Sequence, residues 1–274
     1  MSGAADKAVP EVVEEVLDPT APTTAASPVD LPRVAPPAGA TPAWLPWVAL
    51  AGAFVVGVLS VAARQRGGVL WQTDETVHAW ILSQRTEAEG TIARAVTVGG
   101  ITTVALPALA VVGALLPRAP RSLRTRLGAG MLLAGTASLG VWLGLVLNHA
   151  VGRERPPVAD WWGAAGGPAF PSGHTTAATI VALTCAWAIM PRAHSTLARS
   201  LVWAGAAAYA LAVGWSRMWL GVHWPGDVVG GWLFGAAWVA LVVPVVGLAR
   251  RRWRPAPPDA SARATGSGSL VPRP

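Results

Sequence analysis

The sequence predicts an all-α integral membrane protein: a bundle of six transmembrane helices, with an interfacial amphipathic segment between helices 1 and 2. Composition, the length of the apolar stretches and the positions of the arginines lead to this prediction. Of the 274 residues, 53% are hydrophobic and only 13% are charged, whereas a soluble domain carries about 25% charged residues. The mean hydropathy is +0.45. The chain is therefore expected to have a bilayer as its main solvent.

Six apolar stretches are long enough, or nearly so, to cross a hydrocarbon core of about 30 Å, which takes roughly 20 helical residues. They run from about 43 to 63, 95 to 116, 127 to 147, 175 to 190, 201 to 215 and 228 to 248. Residues 64–94, between the first two stretches, are partly amphipathic. Their apolar face comprises Leu70, Trp71, Val77, Trp80, Ile81 and Leu82. Such a segment is expected to lie in the interface between lipid and water.

Two tails of different composition flank the predicted membrane domain, which covers residues 41–254. Residues 1–40 are rich in Pro, Ala, Thr and acidic residues without apolar periodicity, which predicts a disordered cytoplasmic tail. Residues 255–274 are predicted to form a disordered C-terminal tail. Within it, Leu270 to Arg273 resembles a protease-cleavage site left by an expression vector.

Clusters of arginine between the apolar stretches predict the orientation. Three of them share one side of a six-span bundle: Arg118, Arg121, Arg124 and Arg126; Arg192 and Arg199; and Arg250, Arg251, Arg252 and Arg254. By the positive-inside rule this side is the cytoplasm. Both termini of a multi-pass protein of the cell membrane would then be cytoplasmic. A nucleic-acid binder would instead spread its basic residues over a polar face, so no nucleic-acid partner is predicted.

Three polar stretches fall at helix ends on the opposite side, the predicted extracytoplasmic face. They are Gly152–Pro156 after the third span, Pro171–His174 at the start of the fourth, and Ser216-Arg217 with His223 and Asp227 between the fifth and sixth. Because a whole number of hairpins separates them, the topology brings all three to one face, where four helices can hold them around a single pocket.

Residues of the kind that bind phosphate occur in these stretches. Arg155 and Arg217 carry planar guanidinium forks that match phosphate oxygens. The Ser172-Gly173 backbone opens a helix, whose free N–H groups favour an anion. The sequence contains no carboxylate cluster or Cys/His set with ligand spacing, so neither a metal site nor a cofactor is predicted.

Two histidines supply reactive groups, since an imidazole can act as base, acid or nucleophile at neutral pH. Asp227 follows His223 by four residues, and its carboxylate could keep one ring nitrogen protonated and leave the other free to attack. His174 has no such partner nearby and suits a general acid. His78 and His194 are predicted to face solvent, and the role of His149 is left open.

The three stretches resemble the signature of the type-2 phosphatidic acid phosphatase superfamily, which shares its core with vanadium haloperoxidases. That signature reads Lys-x6-Arg-Pro, then Pro-Ser-Gly-His, then Ser-Arg-x5-His-x3-Asp. The resemblance implies that His223 forms a phosphohistidine, that Asp227 orients it and that His174 is the acid/base. It implies phosphate binding by Arg155, Arg217, Ser172 and Gly173, and hydrolysis without a metal.

One position departs from the signature. Asn148 stands where the family lysine is expected, seven residues before Arg155. An amide donates hydrogen bonds but carries no charge, so this pocket has one cation fewer. Arg153 is expected to compensate, and both Asn148 and Arg153 are included in the predicted phosphate-binding set.

The function implied by the resemblance is that of a membrane lipid phosphatase. Its substrate would be a polyprenyl pyrophosphate, a phosphatidylglycerol phosphate or a lipid of the phosphatidic acid class, and its partners are this lipid and the bilayer. Two alternatives stay open: a phosphatase for a small soluble phosphorylated metabolite, and a non-catalytic protein that binds phospholipid or moves it between leaflets. The sequence does not indicate an oligomeric state.

Overall fold

The computed structural model describes residues 42–115 and 122–252, and within these two ranges all regular structure is helical. Outside the described residues lie the predicted tails, residues 1–40 and 255–274, and three of the basic residues used above, Arg118, Arg121 and Arg254. The predicted all-α class is confirmed for the described part of the chain.

Eight α-helices follow one another along the described chain. They are α1 (Leu45–Ala63), α2 (Val69–Gln84), α3 (Glu87–Thr97), α4 (Thr102–Leu115), α5 (Leu123–Val151), α6 (Gly173–Ile189), α7 (Thr196–Trp219) and α8 (Pro225–Arg252). Short 3₁₀ turns occupy Val98–Gly100, Val158–Asp160 and Met190–Arg192. Helix α1 packs on α8, α4 on α5, and α6 on both α7 and α8.

Five of the helices are long and apolar enough to cross a bilayer. These spans are Leu45–Ala63, Arg126–Val151, Gly173–Arg192, Thr196–Trp219 and Pro225–Val246. Helices α3 and α4 together would make a sixth, although they are bent by 55° at their junction. A multi-pass membrane protein is therefore confirmed. The count of six and the interfacial position of α2 stay predictions.

The break between α3 and α4 differs from the single helix predicted over residues 95–116. It falls at the Gly99-Gly100 pair, where helix propensity is low. A Cβ atom on Gly100 would lie 2.8 Å from Val213 Cγ1 and 3.0 Å from His174 Cβ. The glycine therefore lets the broken backbone reach α6 and α7 beside His174.

Close packing of α6 against α8 aligns the starts of these two helices. A Cβ atom on Gly231 would lie 2.9 Å from Thr175 Cβ, and one on Gly235 would lie 2.8 Å from Thr179 Cβ. Small residues permit such close approach where both helices lie in lipid. Because the contact begins within the first turns, it fixes Asp227 on α8 relative to the N-terminus of α6.

Candidate active site

The three polar stretches meet at one end of the bundle, where α5 and α7 end and α6 and α8 begin. The backbone N–H of Ser172 donates to the Asp227 carbonyl at 3.0 Å, which joins the starts of α6 and α8. The backbone N–H of Ala169 donates to the Arg153 carbonyl at 2.7 Å, which joins the loop before α6 to the loop after α5. The structure therefore brings the three stretches together.

His223 is buried between a carboxylate and a guanidinium. Its Nδ1 lies 3.3 Å from Asp227 Oδ2, and its Nε2 lies 2.9 Å from Arg155 Nη1. A guanidinium can only donate hydrogen bonds, so Nε2 must accept and the ring proton belongs on Nδ1. Burial, followed by the positive charges of Arg155 and Arg217, holds the pKa of His223 well below its ordinary value. The result is a neutral imidazole with a lone pair on Nε2.

The Asp227 carboxylate is fully buried, and both of its oxygens accept hydrogen bonds from the protein. One oxygen accepts from the backbone N–H of Trp224 at 2.9 Å and from His223. The other accepts from Arg153 Nη1 at 2.8 Å. Charge-assisted bonds of this kind hold the carboxylate in one orientation, and that orientation determines which way the His223 ring faces.

Arg155 spans the site and is half-buried. Its Nε and Nη2 atoms donate to the carbonyls of residues 166–168 at 2.9–3.0 Å, and Nη1 donates to the Val222 carbonyl at 2.7 Å. Burial lowers the pKa of Arg155, and the negative charge of Asp227 opposes this effect. The arginine remains charged. It therefore joins the loop before α6 to the loop that carries His223.

Arg217 and His174 retain hydrogen-bonding capacity. Arg217 is buried and donates from Nη1 to Thr97 Oγ1 at 2.7 Å, while its Nε is buried without a partner. His174 is half-buried, and among the described residues none hydrogen-bonds to its ring. Its polar neighbours are the guanidinium groups of Arg217 and Arg155 and the neutral ring of His223. An anion between them would satisfy donors that the protein leaves unpaired.

The start of α6 presents an open backbone beside these groups. Gly173 is exposed, and a Cβ atom placed on it would meet no atom within 4 Å. Ser172 is fully buried, and its hydroxyl accepts from Thr175 Oγ1 at 3.0 Å. Free N–H groups at a helix start favour a bound anion. The space over Gly173 can therefore hold a phosphoryl group, while the Ser172 side chain faces into the protein.

A cleft of about 530 Å³ lies against the outer side of Arg155. Its walls include Pro156, Val158, Trp161 and Gly167. Within residues 42–115 and 122–252, no group of three or more His, Cys, Asp and Glu side chains could hold a metal ion. The polar groups that the protein itself places at the site are two imidazoles, two arginines, the Asp227 carboxylate and the N-terminus of α6.

The residues along α5 to α8 match a known family model. Residues 129–251, just under half of the chain, match the model described as the PAP2 superfamily. This part of the chain is similar to the PAP2 superfamily. It contains all nine predicted site residues, from Asn148 to Asp227.

Two curated relatives match part of this chain. The chain is 31% identical over 127 residues to a "Lipid A 1-phosphatase" of Rhizobium johnstonii and 41% identical over 100 residues to "Phosphatidylglycerophosphatase B" of Escherichia coli K12. The matches cover 43% and 36% of this chain. They cover 47% and 36% of those proteins, so the chain spans less than half the length of each relative.

A solved structure has the same fold. It is the transmembrane PAP2-type phosphatidylglycerolphosphate phosphatase from Bacillus subtilis, with a TM-score of 0.66 and 22% sequence identity. The similarity covers 76% of this chain and 100% of that chain. It therefore extends beyond the PAP2 segment and establishes the helical architecture.

Asn148 and Arg153 both have hydrogen-bond partners within the protein. Asn148 Nδ2 donates to the carbonyls of Pro168 and Pro171 at 3.0 and 3.1 Å. Arg153 is buried and donates to two carboxylates, that of Asp227 and that of Asp74 on α2. These contacts fix the loop before α6 and the Asp227 carboxylate. The phosphate-binding role predicted for the pair stays a prediction.

Asp74 is the site residue that the sequence reasoning missed. It lies on α2, outside the PAP2 segment, and is only 2% exposed. Its carboxylate accepts from Arg153 Nη2 at 2.6 Å and from the backbone N–H of Gly226 at 2.7 Å. Burial raises the pKa of Asp74, and Arg153 opposes this effect. The sequence did carry a signal for burial of Asp74, because this residue shares one face of a helix with the apolar Leu70 and Ile81.

The solvent-facing position predicted for His78 is wrong. His78 is 5% exposed, because α2 turns it towards the protein on the same face as Asp74. Its Nε2 lies 3.1 Å from Asp160 Oδ2, and its ring meets Trp224 edge to face with centroids 5.0 Å apart. The same prediction for His194 is confirmed, since His194 is exposed before α7. His149 is exposed at the end of α5.

Proposed function

We propose that this protein is an integral membrane phosphatase that hydrolyses a phosphate monoester or pyrophosphate of a lipid through a phosphohistidine on His223. The observation that carries the proposal is the environment of His223. Its Nδ1 proton is held by Asp227, and its Nε2 lone pair faces Arg155. A neutral imidazole with one oriented lone pair is a competent nucleophile.

The reaction would proceed in two steps. His223 Nε2 attacks phosphorus, an N–P bond forms, and the P–O bond to the lipid breaks as His174 gives a proton to the leaving oxygen. His174 then takes a proton from water, whose oxygen attacks phosphorus and breaks the N–P bond. Arg155, Arg217 and the α6 N-terminus would stabilise the charge that develops on the phosphoryl oxygens. The products are inorganic phosphate, free His223 and either the lipid alcohol, from a monoester, or the lipid monophosphate, from a pyrophosphate.

Lipid phosphates are the proposed substrate class for two reasons. Both curated relatives carry names of enzymes that act on lipid phosphates, and the site lies at the end of helices long enough to cross a bilayer. A lipid could then place its head group at the site while its chains stay among the helices. Polyprenyl pyrophosphate, phosphatidylglycerol phosphate and phosphatidic acid are the candidates.

Phosphate release by the purified protein in detergent tests this function. Lipid monophosphates, lipid pyrophosphates and soluble phosphate esters are compared, with EDTA present and with vanadate as an inhibitor. We expect vanadate-sensitive release from lipids in EDTA. Faster release from a soluble ester would favour the metabolite phosphatase, and the absence of release from every substrate would contradict an enzymatic function.

Gly173→Ala is expected to lower phosphate release by about 10- to 100-fold, with KM raised. The free protein has room for the added methyl group, but a bound phosphoryl group would occupy that room. The expected loss corresponds to about 1.4–2.7 kcal/mol of transition-state binding. Steady-state kinetics on the best lipid substrate measure the effect.

The matched control for this substitution is Gly205→Ala on α7. A Cβ atom there also meets nothing within 4 Å, so the same methyl group is added far from the site. We expect wild-type kinetics and unchanged or slightly higher thermal stability, because alanine favours a helix. Equal activity of the Gly173 and Gly205 variants would argue against phosphate binding at the α6 N-terminus.

We further propose that the site faces the extracytoplasmic side and that both termini are cytoplasmic. Arg192 lies in the link between α6 and α7 and Arg199 in the first turn of α7, and α6 separates both from the site. Basic links are retained in the cytoplasm. The proposal concerns orientation only and is independent of the reaction.

Thiol labelling of intact cells checks the orientation, because Cys185 is the single native cysteine. In a Cys185→Ala background, Val158→Cys should react with a membrane-impermeant maleimide, since Val158 is 72% exposed beside the site. The paired variant His194→Cys, in the link between α6 and α7, should react only after permeabilisation. The opposite pattern would reverse the proposed orientation.

A further inference from the structure

Asp74 has two separate contacts with the segment that carries Asp227. Its Oδ2 accepts from Arg153 Nη2 at 2.6 Å, and Arg153 Nη1 donates to Asp227 Oδ1 at 2.8 Å. Its Oδ1 accepts from the backbone N–H of Gly226, the residue before Asp227, at 2.7 Å. One carboxylate on α2 therefore fixes both the side chain that holds Asp227 and the backbone on which Asp227 stands.

The resulting chain of contacts is Asp74, Arg153, Asp227 and His223. All four residues are buried, with exposures of 2%, 3%, 0% and 1%. Water is therefore excluded from the chain, and each charged group depends on its neighbour for compensation. The rings of Trp71 and Trp224, with centroids 5.5 Å apart, both pack against Arg153 at 5.5 and 5.8 Å from its Cζ and limit its movement.

The last contact in this chain is sensitive to small displacements. His223 Nδ1 lies 3.3 Å from Asp227 Oδ2, near the upper limit for a hydrogen bond. A shift of a few tenths of an ångström in the Asp227 carboxylate would break it. Without that acceptor the Nδ1 proton loses its partner and the preference for this tautomer rests on Arg155 Nη1 alone. The Nε2 lone pair is then present in a smaller fraction of the molecules.

We propose that Asp74 is a positioning residue for phosphoryl transfer. It acts through Arg153 to keep the Asp227 carboxylate within hydrogen-bonding distance of His223 Nδ1. The inference rests on the proposed function for its kinetic consequence, but the His223 tautomer can be measured without any substrate. Asp74 belongs to α2 and not to the PAP2 segment at residues 129–251. Helix α2 thus supplies part of the apparatus that orients the nucleophile.

Histidine tautomers provide the first test. The chain has five histidines, so ¹⁵N-histidine labelling gives few signals, and His223→Gln identifies the one from His223. In the wild-type protein we expect Nδ1 protonated and Nε2 unprotonated. In Asp74→Asn we expect a mixture of the two tautomers. A single wild-type tautomer in a folded Asp74→Asn protein would overturn the proposal.

Kinetics of the same variant provide the second test. We expect kcat to fall by roughly 10- to 100-fold, the usual range when a group that orients a reactive residue is lost, and KM to stay unchanged. Asp74 does not reach the phosphate space, so a loss confined to KM would contradict a positioning role. If the wild-type protein releases no phosphate, the proposed function is wrong. The tautomers of His223, which are measured without substrate, still test the positioning role of Asp74.

Two further variants make the result specific. Glu75→Gln changes the neighbouring carboxylate of α2, which is exposed and accepts from Trp71 Nε1 at 2.7 Å; we expect wild-type kinetics and a wild-type tautomer. Arg153→Lys keeps the charge but loses the two-armed fork. It should reproduce the mixed tautomers and lower kcat, and it carries the test if Asp74→Asn does not fold. A raised KM with a wild-type tautomer in Arg153→Lys would instead indicate direct phosphate binding and overturn the proposal.

Discussion

Replacement of His223 by glutamine is expected to reduce kcat for phosphate release by on the order of 10⁴- to 10⁶-fold, the range seen when the nucleophile or base of a catalytic unit is removed. The glutamine amide fills most of the ring volume and can hydrogen-bond to Asp227 and Arg155, but its nitrogen carries no available lone pair. The loss should therefore be chemical and not structural. Phosphate release on the best lipid substrate, with thermal unfolding measured in parallel, checks this.

His194→Ala is the control for that experiment. His194 is exposed in the link between α6 and α7, across the bundle from the site. We expect wild-type kinetics. If folded His223→Gln kept more than about a tenth of wild-type kcat, a difference of under 1.4 kcal/mol in the barrier, the covalent mechanism would have to be abandoned.

His174→Ala is expected to reduce turnover of a lipid phosphate by about 10²- to 10⁴-fold, the usual contribution of a general acid and base. The side chain is half-buried and has no hydrogen bond to a described residue, so its removal should cost little stability. Attack by His223 would remain possible when the leaving group needs no proton, as with p-nitrophenyl phosphate. The phosphohistidine formed would then decay slowly, because no group activates water.

Labelling with ³²P-labelled p-nitrophenyl phosphate distinguishes a role of His174 in proton transfer from a purely structural role. His174→Ala should accumulate label that is stable in base and released in acid, as expected for a phosphorylated imidazole. The double variant His174→Ala/His223→Gln should accumulate none. Label in the double variant would place the covalent bond elsewhere, and slow turnover without label in the single variant would assign His174 to the first step or to substrate binding.

Local patterns were sufficient to predict the helices and the placement of the main site residues at one face. Apolar length placed α1, α5, α6, α7 and α8 within a few residues of their observed ends. The spacing of His223 and Asp227 by four residues predicted that the ring and the carboxylate lie within hydrogen-bonding distance of each other. Such features depend on neighbours in sequence, which composition and periodicity report directly.

The broken second span was beyond these patterns. Hydropathy over residues 95–116 is continuous, and only Gly99 and Gly100 mark a weak point. The break is determined by what the chain packs against. Its backbone must reach Val213 on α7 and His174 on α6, and a helix with side chains at these positions would not fit.

The partners of the charged residues were also decided by the tertiary structure. Asp74 and Arg153 are 79 residues apart, and a buried carboxylate is stable only where a donor meets it. Nothing in the α2 sequence specifies that donor. In the same way Asn148 differs from the family lysine in sequence, but only the fold directs its amide to the carbonyls of Pro168 and Pro171.

The sequence by itself thus determined that the chain is helical, that it enters a membrane, and that two histidines and two arginines gather at one face. The tertiary structure decided which of these groups stay free for a ligand and which are occupied by the protein. Among the described residues, Arg217 Nε and the ring of His174 have no hydrogen-bond partner. Arg153, in contrast, is held by Asp74 and Asp227. The physical reason is that hydrogen-bond satisfaction in a buried site depends on groups brought together from distant segments, which no local pattern records.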